Sequence, residues 1–154
     1  MAIKLEAIKV RLDQEVAKRN SLDELQVTRP DPIMPAREHN DEYISLLCAL
    51  FGYGRADSII KFLYSLDVSL LESSEKEIEN ALSKHYYRFQ NAQDVIEIFK
   101  TLKRLKKEDS LESLFYSGYK DDQSVLTGLN TVINAMMKIN TYECRGYNFL
   151  VGKP

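Results

Sequence analysis

Asn40-Asp41-Glu42-Tyr43-Ile44-Ser45-Leu46-Leu47-Cys48-Ala49-Leu50-Phe51-Gly52-Tyr53-Gly54-Arg55 is the stretch whose reading decides the fold. Asn40, Asp41 and Glu42 form a helix start, because short polar side chains accept from the free amides of a first turn and negative charge is favoured there. The residues that follow are apolar on most sides, which predicts a helix over 41–51 at the core. Gly52-Tyr53-Gly54 breaks it. Arg55 or Ala56 then opens a second helix carrying Ile59, Ile60, Phe62 and Leu63.

Upstream of this pair, residues 28–35 hold three of the four prolines. Repeated X-Pro steps disfavour helix, so residues 21–40 read as an extended strap across the surface. Before the strap, Leu5, Ile8, Leu12 and Val16 recur at helical spacing with charges between them, the pattern of an amphipathic helix over 1–20. Downstream, Ser74 with Glu77 has the spacing of a capping box for a helix ending near Lys84. Asn91 with Asp94 does the same for a helix running to about Lys107. Ser110 opens a short helix through Phe115 that Gly118 ends. A last helix over 122–138 is expected to bury Val125, Leu129, Val132, Ile133 and Met136. No alternating pattern of strand length and no internal repeat interrupts this series. The fold class expected is all-α, an orthogonal multi-helix bundle with its core domain over 41–139. The final segment, 140–154, contains the apolar run Tyr147-Asn148-Phe149-Leu150-Val151-Gly152, which reads as a connection into a further element of a longer helical fold.

The chain has 154 residues, 44% hydrophobic and 29% charged, enough to bury a real core without disulfides or metals. A formal net charge of −2 does not point to nucleic-acid binding through bulk charge, although one basic face is compatible with it. Cys48 and Cys144 are too few for a disulfide framework, and Cys48 within Leu46-Leu47-Cys48-Ala49-Leu50 reads as a buried thiol. With only His39 and His85, and neither His-x-x-x-His nor Cys-x-x-Cys, no metal site and no cofactor are expected. Residues 1–11 lack the apolar core of a signal peptide, and no apolar run approaches the roughly 20 residues that span a bilayer. A cytoplasmic location is the expectation.

Three segments carry chemistry that suggests function. In Gly52-Tyr53-Gly54-Arg55 the glycines permit positive φ and leave backbone amides bare, a turn that binds a DNA phosphate in helix-hairpin-helix motifs, with Arg55 as a second contact. The same glycines also suit a plain sharp turn between packed helices. In Lys84-His85-Tyr86-Tyr87-Arg88-Phe89 aromatic and cationic residues alternate, as in surfaces that stack bases and hold phosphates. The other reading has Tyr87 and Phe89 docking a loop while Arg88 pairs with a carboxylate. Lys100, Lys103, Arg104 and Lys107 cluster on one flank of their helix, either a backbone footprint or solvated charges near a helix C-terminus, with Glu97 and Glu108 near enough to pair some of them. No spacing supports a Ser-His-Asp or Cys-His arrangement, and no phosphate-binding P-loop is present.

The run Arg29-Pro30-Asp31-Pro32-Ile33-Met34-Pro35, then Ile44 through Gly52-Tyr53-Gly54-Arg55 to Ile59-Ile60, the 84–89 stretch and Ser110-Leu111-Glu112-Ser113-Leu114-Phe115 resemble, in the same order, an uncharacterised bacterial family. The resemblance covers roughly 22–115. That family, a domain of unknown function, looks related to the helix-hairpin-helix DNA glycosylase superfamily. What the resemblance implies is an all-helical fold, a DNA-glycosylase-like N-terminal half, with residues 46–55 where the superfamily faces DNA. The hairpin and catalytic residues of such glycosylases come from a later part of the domain, so no catalytic residue is carried over. The first expectation is therefore a non-catalytic helical module touching duplex DNA through Gly52, Tyr53, Gly54, Arg55 and Arg88. The rival expectation is a protein-interaction module that self-associates, or docks a separately encoded C-terminal half, through its last helix and tail. A third is an enzyme active only after that association.

Overall fold

The computed structural model describes residues 5–20 and 31–152, and every regular element among them is helical. In chain order these are α1 (Leu5–Arg19), α2 (Ile33–His39), α3 (Glu42–Leu50), α4 (Ala56–Leu63), a 3-10 turn (Val68–Glu72), α5 (Glu75–Leu82), α6 (Ala92–Glu108), α7 (Leu111–Asp122), α8 (Val125–Ile139) and α9 (Arg145–Val151). The all-α class expected from the sequence is what the chain adopts. No helix among the described residues is long and apolar enough to cross a membrane.

The architecture is organised around α6. Its start is fixed locally, because Asn91 accepts from the Asp94 amide at 3.0 Å while Asp94 accepts from the Asn91 amide at 2.9 Å, a reciprocal cap. Val95, Ile98, Phe99, Leu102 and Leu105 then disappear from solvent, and α3, α5, α8, α9 and the 3-10 turn pack around them. Helix α5 begins with the other capping box, Ser74 with Glu77. It contributes the fully buried Ile78 and Leu82.

Several polar groups inside this core are paired. The Asn140 amide nitrogen donates to the Thr101 hydroxyl at 2.6 Å and to the Glu97 carbonyl at 3.1 Å, tying the end of α8 to α6. Tyr147 of α9 binds Thr101 through its hydroxyl at 2.7 Å, and its amide donates to Asp94 at 3.2 Å. Of the apolar residues in the 147–152 run, Tyr147, Leu150 and Val151 seat α9 on α6. Phe149 faces the other way.

Several expectations require correction. The extended strap fails over Ile33–His39, which is helix α2; residues 21–30 lie outside the described residues. Prolines are tolerated there because Pro32 is the N-cap and Pro35 lies in the first turn, where an amide would have no intrahelical partner. Asn40 is not the start of α3. It is the left-handed C-cap of α2 at φ +46°, and Asp41 caps α3 by accepting from the Tyr43 and Ile44 amides. Helix α3 buries one face only, through Tyr43, Ile44, Leu47 and Cys48, so α6 and not α3 is the central helix.

Gly118 does not end α7, which runs on to Asp122 and stops at Gln123 with φ +54°. The glycine is there for close approach: a Cβ would collide with the Thr131 hydroxyl and lie 2.9 Å from the Thr127 carbonyl of α8. Finally, α8 buries Met136 but leaves Val125 and Leu129 half exposed, because α6 and α7 cover only part of its circumference. Helix α1 forms as expected, yet none of its residues is buried.

Candidate nucleic-acid interface

Two turns from distant parts of the chain meet at one end of the bundle. The first follows α3: Gly52 donates to the Ala49 carbonyl at 3.0 Å, Tyr53 to the Phe51 carbonyl at 2.8 Å, and Gly54 takes φ +119°. The second is a tight reversal in which Tyr87 and Gln90 exchange backbone hydrogen bonds of 3.1 and 2.9 Å. That pairing throws Arg88 and Phe89 outward, with Arg88 at φ +57°.

The turns are locked together by phenols. Tyr87 is buried, stacks on Phe62 with ring centroids 4.6 Å apart, and donates its hydroxyl to the Tyr53 carbonyl at 2.6 Å. Tyr53 in turn donates to the Gln90 side chain. Burial pushes both phenols above their ordinary pKa, with Tyr87 adding to the effect on Tyr53 while the Gln90 bond and Arg88 oppose it. Both hydroxyls therefore stay protonated at neutral pH and remain donors.

Arg88 lies over the Tyr53 ring, its guanidinium carbon 5.5 Å from the centroid. Gly54 makes room for it: a Cβ there would sit 2.7 Å from Arg88 Nη1 and 3.2 Å from the Tyr87 hydroxyl. Around this cation Tyr53, Phe89 and Phe149 form a ring cluster with centroid separations of 4.8 to 6.1 Å. Phe89 and Phe149 stay about half exposed, and Tyr86 beside them is 73% exposed.

Arg55 is the N-cap of α4, and its side chain makes no capping bond, so the first amides of that helix have no side-chain acceptor. Its guanidinium is 85% exposed and lies 3.9 Å from the Asp57 carboxylate in the first turn. Thus Tyr53, Gly54 and Arg88 are brought into contact, with Arg55 next along the same turn. Gly52 belongs to the turn but lines the neighbouring groove between α2 and α3. The alternative in which Arg88 pairs with a carboxylate is not what forms among the described residues. Phe149 is the member that the sequence reading missed. Its signal was present in the tail, where 147, 150 and 151 share one helical face and 149 lies on another.

The basic flank of α6 resolves differently. Lys100 and Lys103 are buried rather than solvated. Lys100 binds Glu79 at 2.7 Å and Glu97 at 3.0 Å, and Arg104 grips both oxygens of Glu75 at 2.8 Å. Lys100 and Arg104 thus hold α5 to α6, while Lys107 is exposed. Cys48 is buried as expected, and burial pushes its thiol up to about 11, which leaves it protonated and unreactive at neutral pH.

The sequence model of a family described as protein of unknown function (DUF2400) matches residues 31–154. The chain belongs to that family. The DUF2400 segment takes in α2 to α9, including both turns of the candidate interface, and leaves α1 outside. No curated protein and no solved structure matches the chain.

Proposed function

We propose that the surface built from Tyr53, Gly54, Arg55 and Arg88 binds the backbone of duplex DNA, in a non-catalytic module of base-excision ancestry. The observation that carries this reading is Arg88: an exposed cation held in left-handed backbone, resting on Tyr53 in a space that only a glycine at 54 leaves open. Strained non-glycine backbone concentrates at functional positions. Arg55 and the uncapped amides of α4 add a second point for a phosphate oxygen, 33 residues away in sequence and on the adjoining turn. Phe89, Phe149 and Tyr86 supply flat apolar surface beside the charge. Asp57 opposes the reading by placing a carboxylate near Arg55, so Asp57→Asn should tighten binding. The resemblance to the helix-hairpin-helix glycosylases implies that the first core helix and its following turn face DNA, the place that residues 46–55 hold in this chain.

The test is fluorescence anisotropy with undamaged and abasic duplexes across a salt series. Binding should weaken as salt rises, and Arg55→Ala or Arg88→Ala should each lower the affinity and reduce the logarithmic salt slope by about 1. Absence of binding at low salt would overturn the reading.

A second reading of a different class is favoured by α8, where Val125, Leu126, Leu129 and Met137 are exposed along one side. In this reading that face docks a separately encoded helical half of the same fold. Leu126→Glu with Leu129→Glu would abolish such docking and leave DNA binding intact; unchanged docking in that variant would exclude it.

A further inference from the structure

Phe89 and Phe149 come from two distant elements and are turned outward into one place. Helix α9 buries Tyr147, Leu150 and Val151 and leaves Phe149 half exposed on its other side. The 87–90 reversal buries Tyr87 and Gln90 and leaves Phe89 half exposed. The two rings meet edge to face with centroids 4.8 Å apart. Each also packs on Tyr53, Phe149 at 5.0 Å and Phe89 at 6.1 Å. Single exposed rings are common on protein surfaces, but a contiguous cluster of them marks an interaction site.

The charges around the rings select the kind of partner. Residues 52–57, 84–89 and 143–149 supply this surface, and they carry exposed Arg55, Lys84, Arg88 and Arg145 against exposed Asp57 and Glu143. Four cations less two carboxylates leave a local charge of +2, in a chain whose formal net charge is −2. Arg145 precedes Phe149 by one turn of α9, so both side chains share a side of that helix. Arg88 adjoins Phe89 and rests on Tyr53. Cations thus stand beside both rings. A nucleic-acid strand, which alternates phosphates with flat apolar base faces, has the complementary pattern.

We infer that Phe89 and Phe149 stack on an unpaired nucleobase, so that the substrate class of this surface is duplex DNA continued by a single-stranded extension. Given the duplex-backbone binding proposed above, on which this rests, Arg55 and Arg88 hold the paired part, and the two rings with Arg145 hold the extension. Bases within a continuous duplex present their edges in the grooves, because their faces are stacked on neighbouring bases. A phenylalanine therefore reaches a base face where the strand is unpaired. Exposing that face costs least where the strand is already single, which favours an extension over an intact helix. Phenylalanine has no donor or acceptor, so the contact is to the face of any base and does not discriminate among the four by hydrogen bonding.

Fluorescence anisotropy on the full chain at low salt tests this with one duplex in two forms. One carries a single-stranded thymidine extension, the other an extension of equal length made of abasic residues. Both forms have the same phosphates, so the ratio of their affinities isolates the base faces. The base-bearing form should bind at least about fivefold more tightly. In Phe149→Ala and in Phe89→Ala that ratio should fall to about one, whereas Phe149→Trp should keep it. Arg145→Ala should weaken both forms together. Circular dichroism checks that each variant keeps the helical core, and a partial loss of fold lowers both affinities without changing their ratio. Equal affinity of the wild type for the two forms, or a ratio that persists in both alanine variants, would overturn the inference and leave backbone binding standing. Binding of neither form would overturn the duplex reading itself and this inference with it.

Discussion

Arg88 and Gly54 show how single positions shape the proposed interface. Arg88 stands at φ +57°, a region that costs a non-glycine residue about 1 kcal/mol or more, while its guanidinium faces outward over Tyr53. Arg88→Gly removes that strain and the cation–π contact together, two effects of similar size and opposite sign. Its unfolding free energy in urea should therefore stay within about 1 kcal/mol of wild type while DNA affinity falls. Gly54→Ala should behave otherwise. At φ +119° an alanine is strained, and its Cβ meets Arg88 Nη1, so destabilisation of about 1–3 kcal/mol is expected together with weaker binding. A Gly54→Ala chain as stable as wild type would mean that the turn relaxes freely. The glycine pair and Arg88 were legible as candidates because their residue types are unusual in those settings. That they touch was not, since it depends on Tyr87 donating to the Tyr53 carbonyl across 34 positions.

At the scale of elements, α5 and α6 are joined by ion pairs whose pH dependence has a definite sign. The Arg104 hydrogen bonds hold the Glu75 carboxyl below its ordinary pKa. For Asp41 burial acts in the raising direction, but Lys106 at 2.9 Å and the Ile44 and Tyr43 amides outweigh it, so its pKa is also lowered. Carboxyls that bind protons more weakly folded than unfolded stabilise fully above their unfolded values and lose that contribution as pH falls through the folded ones. Stability should thus be level above about pH 5 and decline below about pH 4. Glu75→Gln should shallow that decline in urea midpoints taken across pH, whereas an unchanged profile would assign the acid sensitivity elsewhere. Glu75 is partly exposed, so solvent screening limits its pair to less than about 1 kcal/mol. Helix starts were readable because a cap is local: Ser74 with Glu77, Asn91 with Asp94, and Ser110 each mark one. Pro35 and Gly118 misled for opposite reasons. A proline in a first turn has no amide to lose, and Gly118 serves contact with Thr131 of another helix, which no local pattern reveals.

Across the whole molecule, periodicity marks which helix faces are apolar but not which are covered. Helix α6 is enclosed, α8 is covered over part of its girth, and α1, which reads as amphipathic, has no buried residue among the described residues. The interface shares this dependence on assembly: α3, the 87–90 reversal and α9 must all be seated before Tyr53, Arg88, Phe89 and Phe149 meet. Each rests on the α6 core, so loss of that core would scatter the site without touching its residues. The most direct measurement is a titration of the isotopically labelled chain with a short DNA duplex at low salt, followed by amide chemical shifts. Shifts confined to Gly52, Tyr53, Gly54, Arg55, the 86–89 turn and Phe149, and abolished by Arg88→Ala, are the expected result. Shifts concentrated on the outer face of α8 or along α1, or none at all, would contradict DNA binding at this surface.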